Sequence, residues 1–305
     1  MILYPNCKIN LGLRIVRKRE DGYHDLETIF VPIYGLHDEL EVIVNDKMSA
    51  VSPLNDATAS PNDVSFTQEG IAVDCKAEDN LIVKCYRQMR AKYPQIGDVK
   101  VRFKKNIPFG AGLGGGSSDA AHMAIALNEL FALGLRKEEL AKEVASLGAD
   151  CAFFVYNVPC FAEGIGDVLT PIELDLKGTR IVMLKPEEGV STKEAYSGIK
   201  PLNDTNKVRL MSATKLLNDA AAQLNDEFFN DFEKTVFPLH PIIADIKKRL
   251  LDAGAYYASM SGSGSTVFGL FKNDPEGRTD ARLAALKEEF ASMVLLDDTF
   301  GEWKA

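Results

Sequence analysis

The sequence predicts an α+β protein of two domains. Three observations carry this. Strand-like and helix-like segments are mixed along the chain without regular βαβ alternation. A glycine-rich run, GAGLGGGSSDAA (Gly110–Ala121), joins an alternating strand to an apolar, alanine-rich helix. The chain has 305 residues, enough for two domains of ordinary size. Its character shifts after Phe161, and the boundary is expected near residue 155, giving domains at 1–155 and 156–305.

The elements follow in order. Residues 8–16, KINLGLRIV, mix apolar and polar side chains as a strand does. The polar stretch 17–25, with Asp21-Gly22 at its centre, is a turn or loop. Residues 27–34 and 39–44 read as strands. Residues 45–63, rich in Asp, Asn, Ser and Pro, read as a long surface loop, followed by strands near 64–67 and 71–74. Asp79 is a good N-cap for a helix reaching about Tyr93, which Pro94 stops.

In DVKVRFKK (98–105), Val99, Val101 and Phe103 face one way and Lys100, Arg102 and Lys104 the other, the pattern of a half-buried strand. After the glycine run a helix extends to about Leu133, with Gly134 as its stop. Leu140, Ala141, Val144, Ala145 and Leu147 give a further amphipathic helix ended by Gly148, and GADCAFFV then enters a strand at Ala152.

The second half shows strands near 160–163 and 180–185, a polar connection near 186–206, and helices near 207–219, 229–236, 241–253 and 279–293. YYASMSGSGSTVFGLF (256–271) reads as strand, Gly-Ser loop, strand. That loop is either a solvated hairpin tip or a second glycine loop closing over the ligand of the first. Asn230, Asp231 and Glu233 read as helix-start chemistry.

Composition excludes several classes. Hydrophobic residues at 46% and charged residues at 26% are ordinary for a globular enzyme. A net charge of −9 and a pI near 5.1 argue against general nucleic-acid binding, which relies on basic patches. No apolar run approaches the roughly 20 residues of a membrane span. The N-terminus lacks a basic region followed by a long apolar core, so no signal peptide and a cytoplasmic location are expected. Cys7, Cys75, Cys85, Cys151 and Cys160 are scattered, as buried free thiols in a reducing compartment would be. They show no metal-binding spacing with His24, His37, His122 or His240, and no protein metal ligand is expected.

The glycine run carries the chemistry. Glycine reaches backbone angles closed to other residues and lets a ligand approach the main chain. A helix N-terminus presents unpaired N–H groups and a partial positive charge. Together they suit an anion, above all a phosphate. The run is not a Walker A motif, because Ser117 and Ser118 follow Gly116 where Lys-Ser or Lys-Thr is needed. It lacks the acidic residue of the dinucleotide fingerprint as well.

PFGAGLGGGSSDAA (Pro108–Ala121) resembles the phosphate loop of the GHMP kinases, named for galacto-, homoserine, mevalonate and phosphomevalonate kinase. NCKINLGL (Asn6–Leu13) resembles their N-terminal motif and SGSGSTVFGLF (Ser261–Phe271) their C-terminal glycine motif, so the resemblance runs the length of the chain. Lys8 with Asn10, DGYHDLETIF (Asp21–Phe30) and GADCAFF (Gly148–Phe154) resemble the branch that acts on a cytidyl diphosphate sugar alcohol for isoprenoid precursors. One departure is Ala152, where many members have proline.

The resemblance implies a two-domain fold with the active site in the cleft between an N-terminal ATP-binding domain and a C-terminal substrate-binding domain. It implies phosphoryl transfer from ATP, bound as Mg-ATP, to an alcohol. Pro108, Gly110, Ala111, Gly112, Leu113, Gly114, Gly115, Gly116, Ser117 and Ser118 would hold the nucleotide. Asp150 would be the catalytic base, with Lys8 keeping it ionised and stabilising the transferred group. Taken singly, either residue would read as a surface charge. Tyr23 would stack on the cytosine and His24 would hydrogen-bond its edge, with Asn10, Phe30 and Thr192 completing the substrate pocket. The expected partner is a small cytidyl diphosphate substrate, with no nucleic acid or membrane, for a monomer or weak homodimer.

Overall fold

The alternation in residues 99–105 becomes the middle of a sheet. A computed structural model describes residues 1–45, 64–72, 76–201, 228–272 and 277–302. The loop expected over 45–63, the strand near 71–74 and the helix near 207–219 lie wholly or partly outside them. The chain forms two compact units, the first from Met1–Cys7, Leu36–Phe109 and Gly114–Tyr156, the second from Lys8–Gly35, Gly110–Leu113 and Asn157–Ala305.

In the first unit, β1 (Ile2–Leu3), β4 (Glu39–Val44), β6 (Val99–Lys105) and β5 (Val64–Gly70) form a sheet in the order β1-β4-β6-β5. β6 buries Val99, Val101, Phe103 and Lys105 and exposes the residues between. It pairs antiparallel with β4 and parallel with β5. On the exposed face Glu39 opposes Lys104 and Glu41 opposes Arg102, with ion pairs of 2.8 and 2.9 Å. Exposed pairs of this kind stabilise by about 0.2–1 kcal/mol each, enough to favour one register.

Among the described residues, this unit also has the helices α1 (Leu81–Lys92), α2 (Gly115–Leu130), α3 (Lys137–Val144) and α4 (Cys151–Tyr156). The N-cap of α1 is Asn80, whose Oδ1 accepts from Ile82 N at 2.9 Å. Asp79, the expected cap, closes a preceding 3-10 turn instead. α2 stops at Leu130, short of Leu133, and the exit runs through Ala132 at φ 47° and Gly134 at φ 70°. The expected strand at Ala152 is corrected to the helix α4. Cys151, Ala152, Phe153, Phe154 and Val155 are all buried, and α4 packs on α2 and α3. A short run buried all round has no periodicity to separate strand from helix.

In the second unit, β2 (Asn6–Lys18), β3 (His24–His37), β7 (Cys160–Glu163) and β8 (Val168–Pro171) form one sheet in that order. β10 (Tyr257–Met260), β11 (Val267–Phe271), β9 (Arg180–Leu184) and β12 (Val294–Thr299) form another, likewise in that order. β8 and β12 had no counterpart in the sequence reading. α5 (Thr192–Tyr196) interrupts the expected polar connection, started by Ser191, whose Oγ accepts from Glu194 N at 3.1 Å. α6 (Glu233–Val236), α7 (Pro241–Asp252) and α8 (Arg278–Glu289) follow. α7 buries Ile243, Ile246 and Leu250, one helical face, against β10 and β11.

The Asn230–Glu233 segment is structural. Asn230 Nδ2 donates to the carbonyls of Met260 and Gly262, both at 2.8 Å. Asp231 Oδ2 accepts from Ile15 N at 2.7 Å, and Glu233 Oε1 from Met260 N at 2.9 Å. Cys7, Cys85, Cys151 and Cys160 are buried free thiols, and Cys75 lies outside the described residues. Burial pushes the Cys151 thiol up to about 11, Cys160 to about 12, and Cys85 in the same direction. Among the described residues no helix is long and apolar enough to cross a membrane.

Candidate active site

Gly110, Gly112 and Gly114 all have positive φ, at 62°, 74° and 70°, and alternate with buried Ala111 and Leu113. Only glycine repeats that left-handed conformation without strain while its neighbours anchor the turn. Within the second unit, a Cβ on Gly112 would lie 2.0 Å from the carbonyl oxygen of Ser261. Ser261 Oγ donates to the Gly112 carbonyl at 3.0 Å, and Thr266 N donates to Ala111 at 3.3 Å. Ser261, Ser265 and Thr266 are fully buried. The Gly-Ser loop is therefore packed on the first glycine run, and the solvated hairpin tip is excluded.

Lys8 reaches the same carbonyl. It is only 3% exposed, and its Nζ donates to Gly112 O at 3.1 Å and to Asn10 Oδ1 at 2.7 Å. The ammonium also lies 5.1 Å from the centre of the Phe30 ring, a cation–π distance. Asn10 Nδ2 donates to Thr28 Oγ1 at 3.0 Å, and Thr28 donates to Gly12 O at 2.5 Å. Asn10 and Phe30 thus serve Lys8. Thr28 and Ser261 were not singled out from the sequence, although both stand inside the quoted motifs.

The other substrate candidates fall into an aromatic group and an exposed helix start. Tyr23 tops the β2–β3 turn at 62% exposure, its N–H donating to Asp21 Oδ1 at 3.0 Å. The His24 ring stacks on Tyr196, with centroids 4.8 Å apart and planes at 23°. Tyr196 in turn meets Phe232 edge-on at 4.8 Å. Burial, helped by the charge of Lys18, holds the His24 imidazole below its usual pKa of 6.5. A neutral ring offers one donor and one acceptor. Thr192 opens α5 and is exposed. Tyr196, on the same helix one turn later, was missed because α5 itself was missed.

The rest of the glycine run belongs to the first unit. Gly114 is the N-cap of α2 and makes no side-chain cap. A glycine cap offers the N–H groups of the first turn no oxygen of its own, which fits the phosphates of ATP. Ser117 is half-buried, whereas Ser118 is fully buried, its carbonyl 2.9 Å from His122 Nδ1. At the mouth of the run Pro108 is half-buried, Phe109 is 72% exposed, and Gly110 has open space where a Cβ would point. Gly115 and Gly116 begin the helix.

Asp150 is half-buried just before α4 in the first unit, while Lys8 belongs to the second. Ala152 is the second residue of that helix, a position where proline also fits. Among the described residues no group of three or more His, Cys, Asp or Glu side chains could hold a metal ion.

Comparison with known proteins gives this arrangement its context. Residues 80–158 match the GHMP kinases N terminal domain and residues 210–291 the GHMP kinases C terminal family. A 4-diphosphocytidyl-2-C-methyl-D-erythritol kinase of Bacteroides fragilis is 47% identical over 271 residues, covering 89% of this chain and 92% of the relative. Its counterpart in Bacteroides thetaiotaomicron is 45% identical over 277 residues, covering 91% and 93%. A crystal structure of a 4-(cytidine 5'-diphospho)-2C-methyl-D-erythritol kinase aligns with a TM-score of 0.71 at 28% identity, over 94% of this chain and 96% of the other. A homoserine kinase from Cytophaga hutchinsonii shares the fold, with a TM-score of 0.64 at 18% identity over 97% and 93%. The chain belongs to the GHMP kinases, a family of ATP-dependent phosphotransferases, and within them to the branch of the 4-diphosphocytidyl-2-C-methyl-D-erythritol kinases.

Proposed function

We propose that this kinase phosphorylates the 2-hydroxyl of 4-diphosphocytidyl-2-C-methyl-D-erythritol in the non-mevalonate route to isoprenoid precursors. The names of its relatives support the reading. The observation that carries it is the His24–Tyr196 stack, an aromatic pair suited to a nucleobase, with exposed Tyr23 preceding His24 in the chain. ATP, as Mg-ATP, supplies the phosphoryl group, and its transfer needs positioning and charge neutralisation more than covalent chemistry.

The residues divide the work. The backbone N–H groups of Gly110–Ser118 bind the nucleotide phosphates. Asp150 accepts the proton of the attacking hydroxyl. Lys8, oriented by Asn10, Phe30 and Gly112, brings positive charge to the transferred group. Tyr23 stacks on cytosine, neutral His24 reads its edge, and Thr192 contacts the acceptor. Residues 1–155 hold the nucleotide and residues 156–305 complete the acceptor site. The protein acts on this small molecule in the cytoplasm as a monomer or weak homodimer, without nucleic acid or membrane.

A coupled ADP-release assay tests the substrate. The cytidyl compound is expected to react far faster than its uridyl analogue, homoserine or mevalonate. Equal use of the cytidyl and uridyl compounds overturns cytosine recognition. Tyr23→Ala is expected to weaken the acceptor by about 1–3 kcal/mol, the scale of one base–aromatic stack. His24→Ala is expected to lower base selectivity, because a site built to hydrogen-bond a ligand edge rejects analogues that leave it unpaired.

A further inference from the structure

Beneath the glycine run lies a buried ionic cluster that the reaction scheme does not use. Asp38, in the turn between β3 and β4, is 0% exposed, Lys105 at the end of β6 is 3% exposed, and Asp119 on α2 is 4% exposed. Lys105 Nζ donates to Asp38 Oδ2 at 2.5 Å and to Asp119 Oδ2 at 2.8 Å. Asp38 Oδ1 also accepts from the backbone N–H groups of Asn106 and Ile107, at 2.6 and 2.8 Å. These two residues immediately precede Pro108. A Cβ on Gly115 would lie 3.0 Å from Lys105 Nζ and 2.9 Å from Ile107 Cγ2, so the first turn of α2 rests directly on the ammonium.

We propose that Asp38, Lys105 and Asp119 are positioning residues for the nucleotide, a buried strut fixing the entry of the glycine run against the first turn of α2. The proposal rests on the reading of Gly110–Ser118 as the phosphate cradle. Phosphoryl transfer depends on where the phosphates lie, and their N–H donors are held only as well as the backbone that carries them.

The two aspartates have unequal parts. Asp38 has donors on both oxygens, three in all. Asp119 has one donor, and its buried Oδ1 has no hydrogen-bond partner. Burial raises the Asp119 carboxyl well above the usual carboxylate range, with Lys105 opposing. His122, one turn further along α2, is held neutral by burial. Burial also works against the charge of Lys105, but Asp119 and Asp38 outweigh it and raise its pKa. What Asp119 supplies is an oxygen for Lys105, and an amide oxygen can replace it.

The test measures steady-state kinetics for ATP and for the acceptor in full-length Asp119→Ala, Asp119→Asn, Lys105→Met and Gly114→Val proteins, with folding checked by circular dichroism. Asp119→Ala is expected to raise KM for ATP about 10-fold or more, the scale of a lost bond to a charged group, and to leave KM for the acceptor within about 2-fold. Asp119→Asn is expected to stay within about 3-fold of the parent for both substrates, since the tie is restored. Lys105→Met is expected to do at least the damage of Asp119→Ala. If Lys105→Met does not fold, the Ala and Asn pair decides alone. A folded Asp119→Ala with unchanged KM for ATP overturns the proposal. So does an equal loss for both substrates, or an Asp119→Asn as impaired as Asp119→Ala. Gly114→Val with unaltered ATP affinity refutes the cradle itself, a failure distinct from that of the strut.

Discussion

Lys8 is an ammonium with little solvent and two fixed oxygen partners, Asn10 Oδ1 and the Gly112 carbonyl. In the role proposed for Lys8, a charge held this way would act through a medium of low dielectric and need no reorganisation as the phosphoryl group passes. Lys8→Ala and Asp150→Asn are each expected to lower kcat by about 10²-fold or more. On the division of work proposed above, the double variant should lose less than the product of the two, since residues serving one step are not additive. Turnover numbers of purified variants decide this, and an Asp150→Asn protein at near-parental rate removes that residue from the base role. His240 provides a pH-linked case. Its Nδ1 lies 2.9 Å from Glu188 Oε2 and its Nε2 3.2 Å from Glu194 Oε1. The Glu188 bond, opposed by partial burial and joined by Glu194, raises its pKa above 6.5. The folded value exceeds the unfolded one, so the stabilisation is full below the unfolded pKa and fades as pH rises through the folded pKa. His240→Gln is expected to lower Tm near pH 6 and to converge with the parent near pH 8.5, by a small amount because the carboxylates are exposed. At this scale the sequence was most legible where both partners of a contact stand in one short motif, as in the bond from Lys8 to Asn10. Tyr196 and the strut aspartates were hidden, since their contacts join segments that only folding brings together.

The glycine run and the Gly-Ser loop work as elements pressed together at one point. Gly112→Ala would drive a Cβ into a backbone oxygen 2.0 Å away, at a φ of 74°. The two loops would have to part, and ATP affinity is expected to fall on the order of 100-fold while the sheets persist. Gly110→Ala meets open space and bears only the left-handed backbone cost, about 1–2 kcal/mol. Calorimetric ATP titration of the two variants tests the contrast, and equal affinities would sink it. Periodicity made β6 and α7 readable, because one face of each is buried, whereas β10 and β11 are buried throughout and were marked by the Gly-Ser turn between two apolar runs. α4 was not readable for the opposite reason, being buried on every side. β8 is largely exposed and so carries no apolar pattern. β12 shares its apolar start with the tail of the preceding helix, and only its pairing with β9, across a bulge between Val294 and Leu296, makes it a strand.

At the scale of the molecule, the second unit is not a contiguous half of the chain. It takes Lys8–Gly35 and Gly110–Leu113 from ahead of Asn157. The change in character after Phe161 is a local signal, but pairing between distant segments leaves no local mark. β3 supplies the antiparallel partner of β7, through Thr28–Ala162, Ile29–Phe161 and Phe30–Cys160. A fragment of residues 157–305 would lack both β2 and β3 and leave β7 with a bare edge. It is expected not to fold alone. Circular dichroism and urea titration of the fragment check this, and a cooperative transition would refute it. The buried cysteines have a consequence of their own. A thiol is alkylated only as thiolate and only when reached, and Cys85, Cys151 and Cys160 are both shielded and hard to ionise. Cys85 and Cys151 belong to the first unit and Cys160 to the second. Under native conditions their labelling by iodoacetamide, read peptide by peptide, would run at the rate of opening and not of chemistry. Each unit thereby carries its own stopwatch, and a nucleotide that slows one without the other would reveal which part of the chain it holds shut.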